Sequence, residues 1–197
     1  MTPGQADALV VVDVQRDFLP GGSLAVAQGD RVIGPINRLL EHFAARGLPL
    51  FASRDWHPPD HCSFRERGGP WPVHCVAGSA GAAFSEGLRL PAQACVVSKA
   101  TRPESDSYSA FGGTDLGHRL REAGVTRLFV TGLATDYCVL HTVTDALAAG
   151  FAVVVVRDAV AAVDAQPGDG DRAIERMRGL GAHFADTAEI LAGAAVQ

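Results

Sequence analysis

Lysine is nearly missing from this chain of 197 residues: of 17 basic residues, 16 are Arg and one, Lys99, is Lys. With Ala and Gly abundant, the bias is open to a purely compositional explanation. It also isolates a single ammonium, and Lys and Arg are not interchangeable. Long apolar runs are missing too. None approaches the roughly 20 residues of a membrane-spanning helix, so no membrane partner is expected. Residues 1–7 contain no basic segment leading into an apolar one, so no secretory signal is read and a cytoplasmic location is expected. The formal charge of -5 comes without any basic cluster, which argues against nucleic acid as a partner. Cysteine is sparse, with Cys62, Cys75, Cys95 and Cys138, and without an export signal these are expected as free thiols. No Gly-rich phosphate loop follows the first apolar run, where Asp13-Val14-Gln15-Arg16 stands, and no Gly-x-Ser-x-Gly elbow occurs. Both absences weigh against nucleotide-loop and serine-elbow chemistry.

What is present is a core-forming composition. At 47% hydrophobic the chain is too apolar for disorder, and its length suits one domain over residues 1–197. Short β-branched runs at 8–12, 48–52, 95–97, 128–131 and 152–156 are continuous rather than alternating, as in strands covered on both faces. Helical patterns at 32–46, 115–123, 137–149 and 171–180 lie between and after them, with a last short strand near His183. Asp136 is a possible N-cap for the third of these helices. The pattern predicts a single-domain α/β fold: an open, mostly parallel β-sheet with helices on both faces. Residues 54–87 and 101–113 break the alternation, and irregular stretches of that length in a compact domain are usually functional.

Ligands of open parallel sheets bind at the carboxyl ends of the strands. Asp13 follows the first strand, Asp55, His57 and His61 the second, and Lys99 ends the third. After the fourth, Thr131-Gly132-Leu133-Ala134-Thr135-Asp136-Tyr137-Cys138 places Cys138 in the first turn of a helix. The helix dipole and a nearby ammonium would both favour its thiolate. Against this, an arbitrary Cys is a small buried hydrophobe, and Cys95, inside an apolar run, is read that way. Asp13 could equally cap a turn, and Lys99 could be a snorkelling surface cation. Three of the seven His fall in the first irregular stretch. Asp55, His57, His61 and His74 offer oxygen and imidazole ligands suited to one divalent ion, Zn, Fe or Mn. A rival set, His61, Cys62, His74 and Cys75, lacks the usual Cys-x-x-Cys spacing of structural zinc sites.

Four segments resemble the nicotinamidase/pyrazinamidase branch of the isochorismatase-like cysteine hydrolases. They are Val12–Leu24, the stretch from Asp55-Trp56-His57 to Trp71-Pro72-Val73-His74-Cys75-Val76, Lys99 with Asp106-Ser107-Tyr108-Ser109-Ala110-Phe111, and Thr131–Val139. The resemblance implies Cys138 as nucleophile, Asp13 as its base and Lys99 as the cation between them. It implies Asp55, His57, His61 and His74 as metal ligands, and Phe18, Trp71, Tyr108 and Tyr137 around a substrate pocket. It further implies a cis peptide before Ala134, with the N–H groups of Ala134 and Cys138 forming an oxyanion hole. The implied reaction is hydrolysis of nicotinamide, and of pyrazinamide as an alternative, within NAD salvage. The partner is then a small molecule, bound by a monomer or homo-oligomer. Ala100 departs from the family pattern, in which Gly commonly follows the lysine, and so does Arg16, where Asn is frequent.

Overall fold

In the computed structural model, residues 2–192 are described, and they form one sheet with helices on both faces. The order along the chain is β1 (Asp7–Val12), α1 (Ile33–Ala44), β2 (Leu50–Asp55), β3 (Cys95–Lys99), α2 (Leu116–Glu122), β4 (Arg127–Leu133), α3 (Leu140–Ala148), β5 (Ala152–Ala161), α4 (Asp169–Gly179), β6 (His183–Ala185) and α5 (Thr187–Ala192). The sheet runs β3-β2-β1-β4-β5-β6 and every pairing is parallel. β1 is buried along its whole length because its alternate residues serve two cores. Leu9 and Val11 pack with Ile36, Leu39, Leu40 and Phe43, the i, i+3, i+4, i+7 stripe of α1, and with Ile190 of α5. Ala8, Val10 and Val12 face Leu116, Leu120, Val143 and Met177 of α2, α3 and α4.

Strand order reverses between β1 and β4: from β1 the chain works outward to β2 and β3, then returns to β4 on the other side. In open α/β sheets such a reversal leaves a crevice at the carboxyl ends. Gly132 allows the two strands to meet closely there. A Cβ at this position, φ +110°, would lie 2.0 Å from the Val12 carbonyl oxygen.

Three expectations need correction. Cys95 is half-buried rather than core, because β3 is an edge strand with one neighbour, and Val96 beside it is 41% exposed. Asp136 caps no helix: its carboxylate accepts the Val163 and Asp164 N–H groups, each at 2.9 Å. The chain turns instead through a π-helical turn, Thr135–Val139, in which the Tyr137 and Val139 N–H groups both donate to the Ala134 carbonyl. The third helix accordingly starts at Leu140, three residues later than its apolar pattern suggests. No described helix is long and apolar enough to cross a membrane.

Candidate active site

Every strand end nearest the crevice delivers a polar side chain to it. Asp13 follows β1 with φ +47°, a left-handed conformation that Asp tolerates better than most residues. Asp55 ends β2 and Lys99 ends β3, side by side in register. Cys138 enters from the turn after β4. Lys99 is fully enclosed. Its Nζ lies 3.1 Å from Asp13 Oδ2, 2.5 Å from Asp55 Oδ1 and 3.6 Å from Cys138 Sγ, and it donates to the Ser107 carbonyl at 3.1 Å. The lone Lys is therefore a buried ion-pair centre and not a snorkelling cation. Asp13 is held by Ser53 Oγ, which donates to Oδ1 at 2.6 Å, while Oδ2 has no hydrogen bond.

These charges set one another. Burial works against the Lys99 ammonium, but Asp13 and Asp55 more than offset it and hold it well above its ordinary range. Burial works against Asp55 as well, yet Lys99 and His57 keep its carboxyl well below the usual carboxylate range. Burial raises the Asp13 carboxyl, with Lys99 opposing and Asp55 reinforcing. For Cys138, burial pushes the thiol well above its ordinary value; Lys99 opposes this rise, and the Asp13 and Asp55 charges reinforce it. A resting thiolate, as its place in the helical turn suggests, is thus not what this environment favours. The proton stays on sulfur, beside a carboxylate whose basicity has been raised.

The second group of polar residues lies on the far side of Asp55. Ligand atoms of Asp55, His57 and His74, all buried, come within 4.8 Å of one another. The Nδ1 of His57 contacts the Ala100 carbonyl at 3.2 Å and that of His74 the Pro72 carbonyl at 2.7 Å. This leaves Nε2 as the remaining ring nitrogen of each, and His57 Nε2 is buried with no hydrogen bond. A backbone carbonyl on one imidazole nitrogen and a free inner nitrogen is the usual arrangement of a metal-binding His. Burial lowers the His74 and His61 imidazoles, favouring the neutral form that a metal requires. The donor set therefore fits a divalent cation. His61 stacks on His57 with ring centroids 4.2 Å apart, but both its nitrogens are engaged, Nδ1 with Ser63 Oγ at 2.7 Å and Nε2 with the Ser105 carbonyl at 3.2 Å. Among the described residues, the rival set with Cys62 and Cys75 does not assemble as a ligand cluster.

Above these groups lies a pocket lined by Phe18, Trp71, Tyr108, Tyr137, Leu133, Ala134, His74 and Cys138, with Leu24, Val26, Ser63, Asp106 and Val163 completing it. All four aromatic residues expected there line it. They brace one another: Trp71 Nε1 donates to the Tyr108 hydroxyl at 3.1 Å, and the Trp71 and Tyr137 rings meet edge to face at 5.1 Å. The Leu133–Ala134 peptide is cis, as the resemblance implied.

Sequence reasoning passed over two supporting residues. Gln15, fully buried, clasps the backbone of Asp55 by donating to its carbonyl at 2.8 Å and accepting its N–H at 2.7 Å, and it also donates to the Ala82 carbonyl. Asp17 accepts the Cys75 N–H at 2.7 Å and so fixes the backbone next to His74. Both stand in the segment after β1, where polar residues otherwise read as a solvent-facing turn. Only their full burial or long-range partners distinguish them.

Comparison with known proteins agrees with this geometry. Residues 7–189 match the model of the isochorismatase domain. A nicotinamidase from Escherichia coli is 41% identical over 196 residues, covering 89% of this chain and 92% of its own. The zinc-bound crystal structure of a pyrazinamidase from Pyrococcus horikoshii superposes with a TM-score of 0.88 at 48% identity, covering 92% of this chain and 99% of the other. An N-carbamoylsarcosine amidase from Thermoplasma acidophilum superposes with a TM-score of 0.79 at 34% identity, covering 93% and 98%. With a family match over nearly its whole length, the chain belongs to the isochorismatase-domain family and resembles its nicotinamidase/pyrazinamidase branch.

Proposed function

We propose that this chain is an amidohydrolase that converts nicotinamide and water into nicotinate and ammonia, with pyrazinamide as an alternative substrate. The observation that carries the reading is the enclosed Asp13–Lys99–Cys138 cluster at the base of an aromatic-walled pocket, with a histidine-rich donor set at its side. The amide substrate is planar, aromatic and neutral, and Phe18, Trp71, Tyr108 and Tyr137 supply faces and edges for such a ring.

In the first half-reaction Asp13 takes the Cys138 proton on Oδ2, the oxygen that has no hydrogen bond, as sulfur attacks the amide carbon. The carbonyl oxygen, becoming anionic, is received by the Ala134 and Cys138 N–H groups. The tetrahedral species collapses, the C–N bond breaks, and Asp13 returns the proton to the departing ammonia, leaving a thioester. In the second half, Asp13 takes a proton from water as its oxygen attacks the thioester carbon. The C–S bond breaks, the proton passes back to sulfur, and the acid is released. Throughout, Lys99 offsets the negative charge that moves between Asp13 and Cys138, so no step leaves an unpaired charge in a dry site. Asp55, His57 and His74 would hold a divalent ion, with His61 joining them on giving up its contact to Ser105. When bound, that ion supplies a Lewis acid able to hold a heteroaromatic nitrogen and fix the ring's orientation. Zn, Fe and Mn all suit one carboxylate with imidazoles.

The test is ammonia release from nicotinamide by the metal-loaded protein, before and after chelation. Turnover that falls on chelation and returns on adding back one divalent ion supports the reading. The likeness to an N-carbamoylsarcosine amidase favours one second reading, hydrolysis of a carbamoyl or ureido group. Faster ammonia release from such substrates than from nicotinamide would establish it instead.

A further inference from the structure

We propose that Asp106 is a specificity-determining residue of this pocket, whose carboxylate disfavours the acid product and reserves the site for neutral amides. The inference rests on the amide-hydrolase reading above and deepens it. Asp106 is the only Asp, Glu, Lys or Arg among the pocket-lining residues, which are otherwise mostly apolar or aromatic. A pocket built to retain a carboxylate would present Arg or Lys to it. Here neither lines the wall, and the nearest ammonium, Lys99, is already balanced by two carboxylates.

The position of Asp106 is set by its neighbour Ser107. The Ser107 carbonyl accepts from the buried Lys99 Nζ at 3.1 Å. Beside this anchor Asp106 Oδ1 accepts the Ser107 N–H at 2.8 Å. Its charge reaches the pocket wall: burial raises the Tyr108 phenol, and the Asp106 charge adds to that rise. The reaction turns a neutral ligand into an anion within this same pocket. A fixed negative charge on the wall therefore leaves the substrate nearly untouched and loosens the product, which is a differential effect rather than a uniform loss of binding. It equally rejects substrates that already carry a carboxylate.

The experiment measures two constants on the metal-loaded protein: the KM for nicotinamide and the inhibition constant for nicotinate. Asp106→Asn is nearly isosteric and keeps an acceptor for the Ser107 N–H. It is expected to lower the nicotinate constant relative to the nicotinamide KM by about fivefold, the effect of a unit charge several ångströms away near a protein surface. Asp106→Glu is expected to keep the wild-type ratio, and salt to move the wild-type ratio towards that of Asp106→Asn by screening. An unchanged ratio in Asp106→Asn, or equal shifts in the Asn and Glu variants, overturns the proposal by showing that shape and not charge is sensed. A wild-type protein that releases no ammonia from nicotinamide overturns the underlying reading and this inference with it. Turnover with an unchanged ratio overturns this inference alone.

Discussion

Two polar clusters share Asp55 and differ in what they lack. On one side, Asp13, Asp55 and Lys99 enclose the Cys138 thiol, and the ammonium sits between the two carboxylates. On the other, His57 and His74 bring ligand atoms close to the same carboxylate and His61 stacks on His57, yet His57 Nε2 is buried without a hydrogen bond, 3.7 Å from Asp55 Oδ2. The first cluster is electrically self-sufficient and needs only a substrate to act on. The second is satisfied on its outer nitrogens and open on the inside, a state that costs free energy unless a further group completes it. Each cluster holds one buried atom without a hydrogen bond, and the two are told apart by charge: Asp13 Oδ2 faces the Lys99 ammonium at 3.1 Å, whereas no cation among the described residues faces His57 Nε2. Asp55 joins them: its carboxylate stays ionised because of Lys99 and His57, and it can therefore serve a cation on its other face.

The comparison breaks most completely at Cys138. Cys138→Ala removes the nucleophile and leaves the ion pairs and the histidine set in place. Turnover is expected to fall by three orders of magnitude or more, on the order of losses seen when a nucleophile is deleted. Circular dichroism and bound metal should be unchanged, and residual activity near the wild-type level would remove Cys138 from the mechanism. Lys99 comes next. Lys99→Ala strands two buried carboxylates, at a cost of about 3–5 kcal/mol in stability, so activity and thermal midpoint should fall together. Lys99→Arg keeps the charge, but the four contacts converge on one point, which a planar fork cannot occupy. Its activity should be nearly as low as that of Lys99→Ala, measured as kcat at saturating amide. Retention of most activity by Lys99→Arg would reduce Lys99 to a diffuse counter-charge.

How much of this could be read in advance follows from the range of each interaction. The central strands, the α1 stripe and the placement of Asp13, Lys99 and Cys138 were legible because periodicity and strand-end position are local signals. The edge character of β3 was not, since it depends on which strand has no second neighbour; Cys95 was misplaced for that reason. Asp136 looks like a helix cap because capping is read from adjacent residues, while its real partners are the N–H groups of Val163 and Asp164. Gln15 holds Asp55 across 40 residues of chain, and no spacing rule reports such a contact. α5 escaped notice because it is one short helix anchored chiefly by Ile190.

The histidine side is sharpened by His57→Ala, which removes the unsatisfied nitrogen itself. Bound metal should be lost, and the KM for nicotinamide should rise by about 10–100-fold, the usual scale for damage to a metal shell. Metal analysis paired with steady-state kinetics checks this. Full metal content in His57→Ala together with metal loss in Cys62→Ser would point to the His/Cys set after all.

A smaller effect separates the clusters by pH. Burial raises the Cys138 thiol well above its ordinary value, and also raises Cys75, buried beside His74. In the unfolded chain each thiol ionises near its ordinary value, about 8.5. Above that pH the unfolded state binds fewer protons than the folded state, so stability falls as pH rises until the raised folded value is passed. Each buried thiol adds about 1.4 kcal/mol per pH unit to that slope. Lys99, also held above its ordinary value, acts with the same sign but later: its contribution is intact below about 10.4, the ordinary lysine value, and is lost only at still higher pH. Denaturant melts between pH 8 and 10 should therefore steepen in the wild type and flatten by one thiol's share in Cys138→Ala. Identical slopes in the two proteins would mean that the thiol is not raised.

The smallest predicted change lies where the two clusters are tied together. Ala100 follows Lys99 and offers its carbonyl to His57 Nδ1, so one residue links the ammonium of the first cluster to an imidazole of the second. Its φ of +51° lies in the left-handed region, where a Cβ costs roughly 1–2 kcal/mol and Gly pays no such penalty. Ala100 is thus a strained position rather than a neutral one. Ala100→Gly relieves the strain but loses one buried methyl and gives the unfolded chain more freedom, which together return part of the gain. The expected net stabilisation is about 0.5–1 kcal/mol by chemical denaturation, with bound metal and KM for nicotinamide unchanged because the carbonyl stays in place. Destabilisation instead would show that packing of the Ala100 methyl, which is 8% exposed with its residue, outweighs the backbone strain. The bridge between the clusters would then be held by the core rather than by its own conformation.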